Sequence, residues 1–409
     1  MCSDDDPANL PCRYAVKSMI AAAAVALSIG SYAMATAAQP LADVQAPRSD
    51  DSVAVAPAGG PGDDGWPDLS SFMDQPYGFL PVLSPITEPA VGYGVYGGPT
   101  FISKPLDRDV QAGFGRPNIT FVGGGWTEND TWFVMGEDMR QWLNDRLQTV
   151  IAGGYASINL KFYGIGENSV LLDNPISYNL KPLGLLVKAK YRIGESCFWV
   201  GLGYQWLKNE TSMDVSEEFA RLQDFRRDTH VGGFLPLLSY DTRDNMFTPA
   251  SGSNIELSAG FFDQGLGGDA SFQKYGLTAM QFLTPLQQLT FGIRGDGLLS
   301  YGEVPFYMLP AVSLRGAPQM RYQGKQVAQG ELEVRWQFWK RISIVGFGGY
   351  GAAWNDFERL DNNVTVLTGG VGLRYELARR YGVHAGVDFA WAPDGFALYI
   401  QFGHAWMWQ

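Results

Sequence analysis

The chain has 409 residues, a formal net charge of −12, 50 glycines, 13% aromatic residues and only 18% charged ones, with a mean hydropathy of −0.09. That length suits two ordinary domains or one large barrel. No apolar run after residue 40 is long enough for a transmembrane helix, no basic run suggests nucleic acid, and the cysteines, Cys2, Cys12 and Cys197, make no disulfide framework.

At the N-terminus Arg13 and Lys17 precede an apolar run, residues 19–34, and Ala35-Thr36-Ala37 supplies the small residues of a signal-peptidase site. Residues 1–38 therefore read as a secretory signal peptide, cleaved after Ala37 or Ala38. Residues 39–79 are rich in Pro, Gly, Ala and Asp and lack periodicity. They are expected to form a disordered periplasmic tail; the other reading is a plug that enters a barrel. Much of the negative charge lies here, at Asp43, Asp50, Asp51, Asp63, Asp64, Asp68 and Asp74.

From residue 80 to 409 the chain alternates. In the segment 367–377, Leu367, Gly369, Val371, Leu373, Tyr375 and Leu377 share one face and Thr368, Gly370, Gly372, Arg374 and Glu376 the other. A strand has a side-chain period of two, so each such segment has an apolar and a polar face. A nearly pure apolar face opposite one that carries full charges is the pattern of a transmembrane barrel, apolar to lipid and polar to the lumen. Strands are expected at 90–101, 118–126, 131–139, 147–159, 176–191, 198–206, 231–240, 254–261, 272–282, 289–299, 327–338, 342–350, 366–377, 383–391 and 396–408. A barrel with both ends in the periplasm needs an even number, so one more is expected, near 161–166 or 219–226. The fold is then all-β, an antiparallel transmembrane barrel of about 16 strands. Only 214–225 has helical character.

The polar faces carry Arg294, Asp296, Glu331, Glu333, Arg335, Arg374, Glu376, His384 and Asp388. These lumenal charges read either as a network satisfied by pairing or as a selective pore lining. In the last segment Phe402, His404, Trp406 and Trp408 fall on the apolar register. Phe402, Trp406 and Trp408 are the expected assembly signal, read by the barrel-insertion machinery and then anchored at the membrane interface.

The longest connection between strands contains Ser313-Leu314-Arg315-Gly316, and Glu333-Val334-Arg335 follows on the next strand. Upstream lie Asp241-Thr242-Arg243-Asp244-Asn245, Pro249 and Gly252, and the region opens with Gly92-Tyr93-Gly94. Taken in order, these landmarks resemble the bacterial surface antigen superfamily, the barrels of BamA/TamA-like assembly factors. The resemblance implies that Leu314, Arg315 and Gly316 form a latch on a loop folded into the lumen, with Arg315 paired to an acid on the wall. Two departures stand out. Ala317 replaces the aromatic residue after Arg-Gly. The strand that usually carries the acid reads Phe347-Gly348-Gly349-Tyr350-Gly351, so Asp388 is the expected substitute, with Glu331 and Glu333 as the other candidates. The family's periplasmic peptide-binding modules have no room in residues 39–75.

The resemblance places the chain with protein or lipid insertion and translocation in a Gram-negative outer membrane. The alternative is a passive small-solute channel or a structural surface protein. Expected partners are outer-membrane lipid, the barrel assembly machinery during biogenesis and a periplasmic partner that delivers substrates. The three histidines, His230, His384 and His404, stand in no local motif with a serine nucleophile, and no His/Cys spacing suggests a metal. No enzyme, cofactor or metal is expected.

Overall fold

The computed structural model describes residues 64–68, 77–88, 90–103, 118–144, 146–162, 176–214, 226–245, 247–355, 363–379 and 382–406. Sixteen strands run in chain order, each antiparallel to the next. They are β1 (Tyr77–Glu88), β2 (Gly92–Ser103), β3 (Asn118–Thr127), β4 (Trp132–Trp142), β5 (Leu147–Phe162), β6 (Ile176–Arg192), β7 (Phe198–Asp214), β8 (Arg226–Asp241), β9 (Gly252–Phe262), β10 (Phe272–Leu286), β11 (Leu289–Gly302), β12 (Gln326–Trp339), β13 (Ile342–Trp354), β14 (Asn363–Ala378), β15 (Val383–Ala392) and β16 (Gly395–Phe402). The sheet curls until β1 and β16 lie side by side. Among the described residues no ladder joins these two, whereas every other neighbouring pair is hydrogen-bonded.

Period-two alternation sets what each strand faces. Leu202, Leu332 and Leu373 point outward and are about half exposed, while Arg294, Glu331, Arg374 and Asp388 point inward and are buried. The start of β1 and the end of β16 define one end of the barrel, here the base. The turns at 287–288 and 340–341 are at the base, and the 303–325 connection is at the top.

Three sequence expectations need correction. The missing strand is β1, not a segment at 161–166 or 219–226: residues 161–162 belong to β5, and 219–225 fall outside the described residues, as does most of the 214–225 stretch. β1 carries Pro81 and Pro85, which hide it in the sequence. Proline is tolerated here because β1 ends the hydrogen-bonded strand order, with a ladder on its β2 side alone among the described residues. Second, the span 39–79 overlaps β1 by three residues, and residues 64–68 are docked on the barrel: Asp64 and Asp68 accept hydrogen bonds from Arg341. The signal peptide lies outside the described residues. Third, β16 ends at Phe402. Gly403 takes a positive φ of 83°, a turn conformation that costs glycine little, and the chain leaves the wall.

The lumen is not polar throughout. Phe133, Met135, Ile158, Leu160, Tyr178, Leu180, Leu207, Val231, Phe262 and Phe272 face inward towards the top and form one apolar cluster with Phe306, Tyr307 and Met308 of the 303–325 connection.

Candidate functional site

The connection between β11 and β12 holds too many apolar residues to stand in water. Phe306, Tyr307 and Met308 form a single 3-10 turn and are fully buried. The Tyr307 hydroxyl lies 2.6 Å from Thr229 Oγ1 on β8, across the lumen. Further along, Val312, Leu314 and Ala317 pack on Val327, Ala353 and Val366 of β12, β13 and β14. Ala317, where the family has an aromatic residue, is itself buried in this cluster. The loop is thus folded into the barrel by its own side chains.

This folding carries Arg315 to the wall. Its Nε donates to Glu331 Oε1 at 2.8 Å and its Nη1 to Asp388 Oδ2 at 2.9 Å. Its Nη2 lies 2.5 Å from Glu331 Oε1 and 2.8 Å from Glu333 Oε2. The Glu333 contact is ionic rather than a directed hydrogen bond, since Oε2 has no aligned donor. The guanidinium also lies 3.6 Å over the Phe347 ring, a favourable stacking geometry. All three carboxylates named as candidates for Arg315 therefore converge on it. Arg374 donates to both Asp388 oxygens at 2.6 and 2.9 Å, so Asp388 bridges two arginines.

Strand register explains why Glu331 takes the main role. Glu331 on β12 is directly opposite Gly349 on β13, the position where the resemblance expects an acid. A Cβ at Gly349 would come 3.0 Å from Leu314 Cδ2. The loop has filled that space, and the carboxylate comes from the neighbouring strand at the same height. Gly316 takes φ 94°, and a Cβ there would come 3.2 Å from the Trp391 backbone; its N–H donates to the Tyr399 hydroxyl. A side chain at that position would be strained and crowded.

The other expected lumen residues support this centre. Arg294 pairs with Asp296 at 2.7 Å. Asp296 accepts from Gln329, whose carbonyl accepts from Ser313 N of the loop. Arg335 reaches lower, to Pro249 O and Thr290. Glu376 is opposite His384 across the β14–β15 ladder, and His384 N donates to Thr248 Oγ1.

The C-terminal segment corrects the expectation of a lipid-facing end. His404 and Trp406 are 2% and 1% exposed, and they are inside the barrel. His404 N donates to Phe247 O at 2.5 Å, and Arg243 Nη1 lies 3.4 Å from His404 Nε2. The Asp241–Gly252 landmark thus builds the turn on which the C-terminus rests: Asp241 holds Arg243, Asn245 Oδ1 accepts from Phe247 and Thr248, and Gly252 adopts φ 96°. Trp406 continues inward to Phe282, and its indole N–H donates to Glu331 Oε1 at 2.7 Å. The latch carboxylate is therefore held by the top loop and the C-terminal segment together. Trp408 lies outside the described residues. The Trp406 contact had no sequence signal apart from Gly403, because the letters keep alternating past the point where the backbone turns. Among the described residues no cluster of His, Cys, Asp or Glu could hold a metal ion.

The Omp85 superfamily domain matches residues 141–393. In fold the chain is similar to BamA from Haemophilus ducreyi lacking POTRA domains 1–3 (TM-score 0.52, 12% identity, 81% of this chain and 76% of that one). It is also similar to CdiB from Escherichia coli (TM-score 0.57, 10% identity, 82% and 68%) and CdiB from Acinetobacter baumannii (TM-score 0.54, 10% identity, 80% and 60%). No curated protein matches the chain. With more than half of its length matched, the chain belongs to the Omp85 superfamily.

Proposed function

We propose that this chain is an outer-membrane barrel that inserts or translocates polypeptide, with its base in the periplasm, and that it is not a small-solute channel. The observation that carries this reading is the doubly obstructed lumen. An apolar plug around Phe306–Met308 packs against the inward-facing side chains near the top, and the C-terminal segment reaches in from the base to the Arg315–Glu331 pair. A solute pore needs a wet path from end to end; an apolar cluster of this size is dry. The unladdered β1–β16 junction leaves two strand edges able to accept another strand.

In this reading Leu314, Arg315 and Gly316 are the latch, Glu331, Glu333 and Asp388 its seat, and Phe402, Trp406 and Trp408 the signal for the chain's own assembly. A leader is removed on export, and a periplasmic partner brings substrates. The test is a folding assay. Liposomes that contain the chain should speed the membrane folding of an unfolded outer-membrane barrel over empty liposomes. Equal rates with and without the chain, combined with release of trapped sugar by the wild type, would favour the channel.

A further inference from the structure

The turn between β12 and β13 is the two-residue tip Lys340-Arg341 at the base, with Lys340 at φ 42°. A basic hairpin tip ordinarily lies in water. The Arg341 side chain is instead 4% exposed, because residues 64–68 cover it. Arg341 Nε and Nη2 donate to the two Asp64 oxygens at 2.6 and 2.9 Å, and Nη1 donates to Pro67 O and Asp68 Oδ2 at 3.1 and 3.0 Å. The Trp66 ring meets Trp339 edge-on at 5.1 Å and stacks on Tyr375 at 6.1 Å, with Lys340 Nζ 5.6 Å above it. The Tyr375 hydroxyl donates to Pro67 O at 2.5 Å, and Arg379 stands 3.9 Å from Asp64.

The barrel holds its half of this contact in place. Arg341 O accepts from Glu376 N at 2.8 Å, which ties the tip to β14. The segment holds its own shape: Gly65 takes φ 71°, and Trp66 N donates to Asp64 Oδ1. Two formed surfaces meet, through paired charges and through stacked rings. A guanidinium fork reads a carboxylate with two parallel bonds, and an indole between an aromatic pair and an ammonium is recognised by shape and charge.

We propose that Trp339, Lys340, Arg341, Tyr375 and Arg379 form a peptide-docking site on the base rim, specific for acidic tryptophan-containing segments of the Asp-Gly-Trp-Pro-Asp type. The chain's own residues 64–68 occupy it in cis. Five residues make few contacts, so the free segment binds weakly. Attachment to the barrel raises its effective concentration to the order of millimolar and keeps the site filled. A competing chain gains access only when this segment is released.

The test uses the full-length chain and a fluorescein-labelled peptide of residues 62–69, with binding read by anisotropy. Wild type is compared with Asp64→Asn/Asp68→Asn, which disables the resident segment and leaves the barrel side untouched. Heat-modifiable gel migration confirms that each variant is folded. The double variant should bind the peptide about tenfold or more tightly than wild type does, because the tethered competitor is lost. Adding Arg341→Ala should abolish the gain, Arg341→Lys should restore only part of it, and a peptide with Trp66→Ala should not bind. The proposal is overturned by equal binding to wild type and the double variant, by binding indifferent to Arg341, or by no binding to the folded double variant.

Discussion

Arg315 concentrates the chemistry of the site. One guanidinium faces Glu331, Glu333 and Asp388, and Arg374 shares Asp388. Truncating one member of a buried ion pair costs about 3–5 kcal/mol, because the partner charge is left unmatched. Arg315→Ala should therefore lower stability by about that amount and open the 303–325 loop to external protease. Asp388→Ala should cost a comparable amount, since Arg315 keeps Glu331 but buried Arg374 loses the carboxylate it pairs with. A double-mutant cycle between Arg315 and Glu331 should be strongly non-additive; additive losses would mean that the two do not act together. At the rim, the hydrogen bonds from Arg341 hold the Asp64 carboxyl below its ordinary value of 3.8, against the opposing effect of desolvation. A depressed carboxylate stabilises the contact above its unfolded pKa, and the gain is lost as pH falls through the lower folded value. Protease protection of residues 64–68 should thus be constant from neutral pH to about 4 and disappear only on further acidification. Arg315 and its three acids were legible in the sequence as loop motif and lumen-face residues. Their ranking was not, because it depends on the Glu331–Gly349 register, which only the paired strands fix. The Asp64–Arg341 contact joins residues 277 apart in sequence, and the sequence of the segment suggested disorder or a lumenal plug, neither of which names a partner on the rim.

Single strands were readable wherever alternation decided the face. β12 and β14 follow the expected pattern closely, because each has one lipid face and one lumen face. Leu332 lies midway along β12 and Phe338 near its base end, both facing outward. The cost of a charge on the lipid face depends on depth. Leu332→Arg should cost roughly 2–4 kcal/mol and Phe338→Arg roughly 0–1 kcal/mol, read as shifts in urea unfolding within lipid vesicles; equal costs would contradict the assigned membrane position. Alternation failed at the two ends of the sheet. β1 was hidden by prolines that an edge strand accommodates. β16 was drawn too long because Gly403 turns the backbone while the letters keep their pattern. The C-terminal segment is therefore part of the lumen. Trp406→Phe keeps the ring in the Phe282 pocket but removes the hydrogen bond to Glu331. It should loosen the latch with little loss of packing, whereas Trp406→Ala should also leave a cavity and cost about 3–5 kcal/mol. Equal stability losses from the two substitutions would assign Trp406 no packing role.

The barrel is obstructed from both ends, and the two obstructions share Glu331. The apolar plug under the top, the ion cluster at mid-height and the C-terminal segment at the base form one continuous path of contacts. Among the described residues the sheet is meanwhile left unladdered between β1 and β16. The barrel class and the inserted loop were visible in the sequence from periodicity and a short motif. The apolar upper lumen was not, because its inward-facing Phe, Leu and Ile residues look the same as lipid-facing ones until the loop that covers them is in place. The coupling between the two ends is most directly tested by ion conductance of the purified chain in planar bilayers. Wild type should be almost silent, Arg315→Ala should show frequent openings, and Trp406→Phe should raise the opening frequency through the same pair, with the double variant no more active than Arg315→Ala alone. Steady wild-type conductance that neither substitution changes would contradict a lumen closed through Glu331.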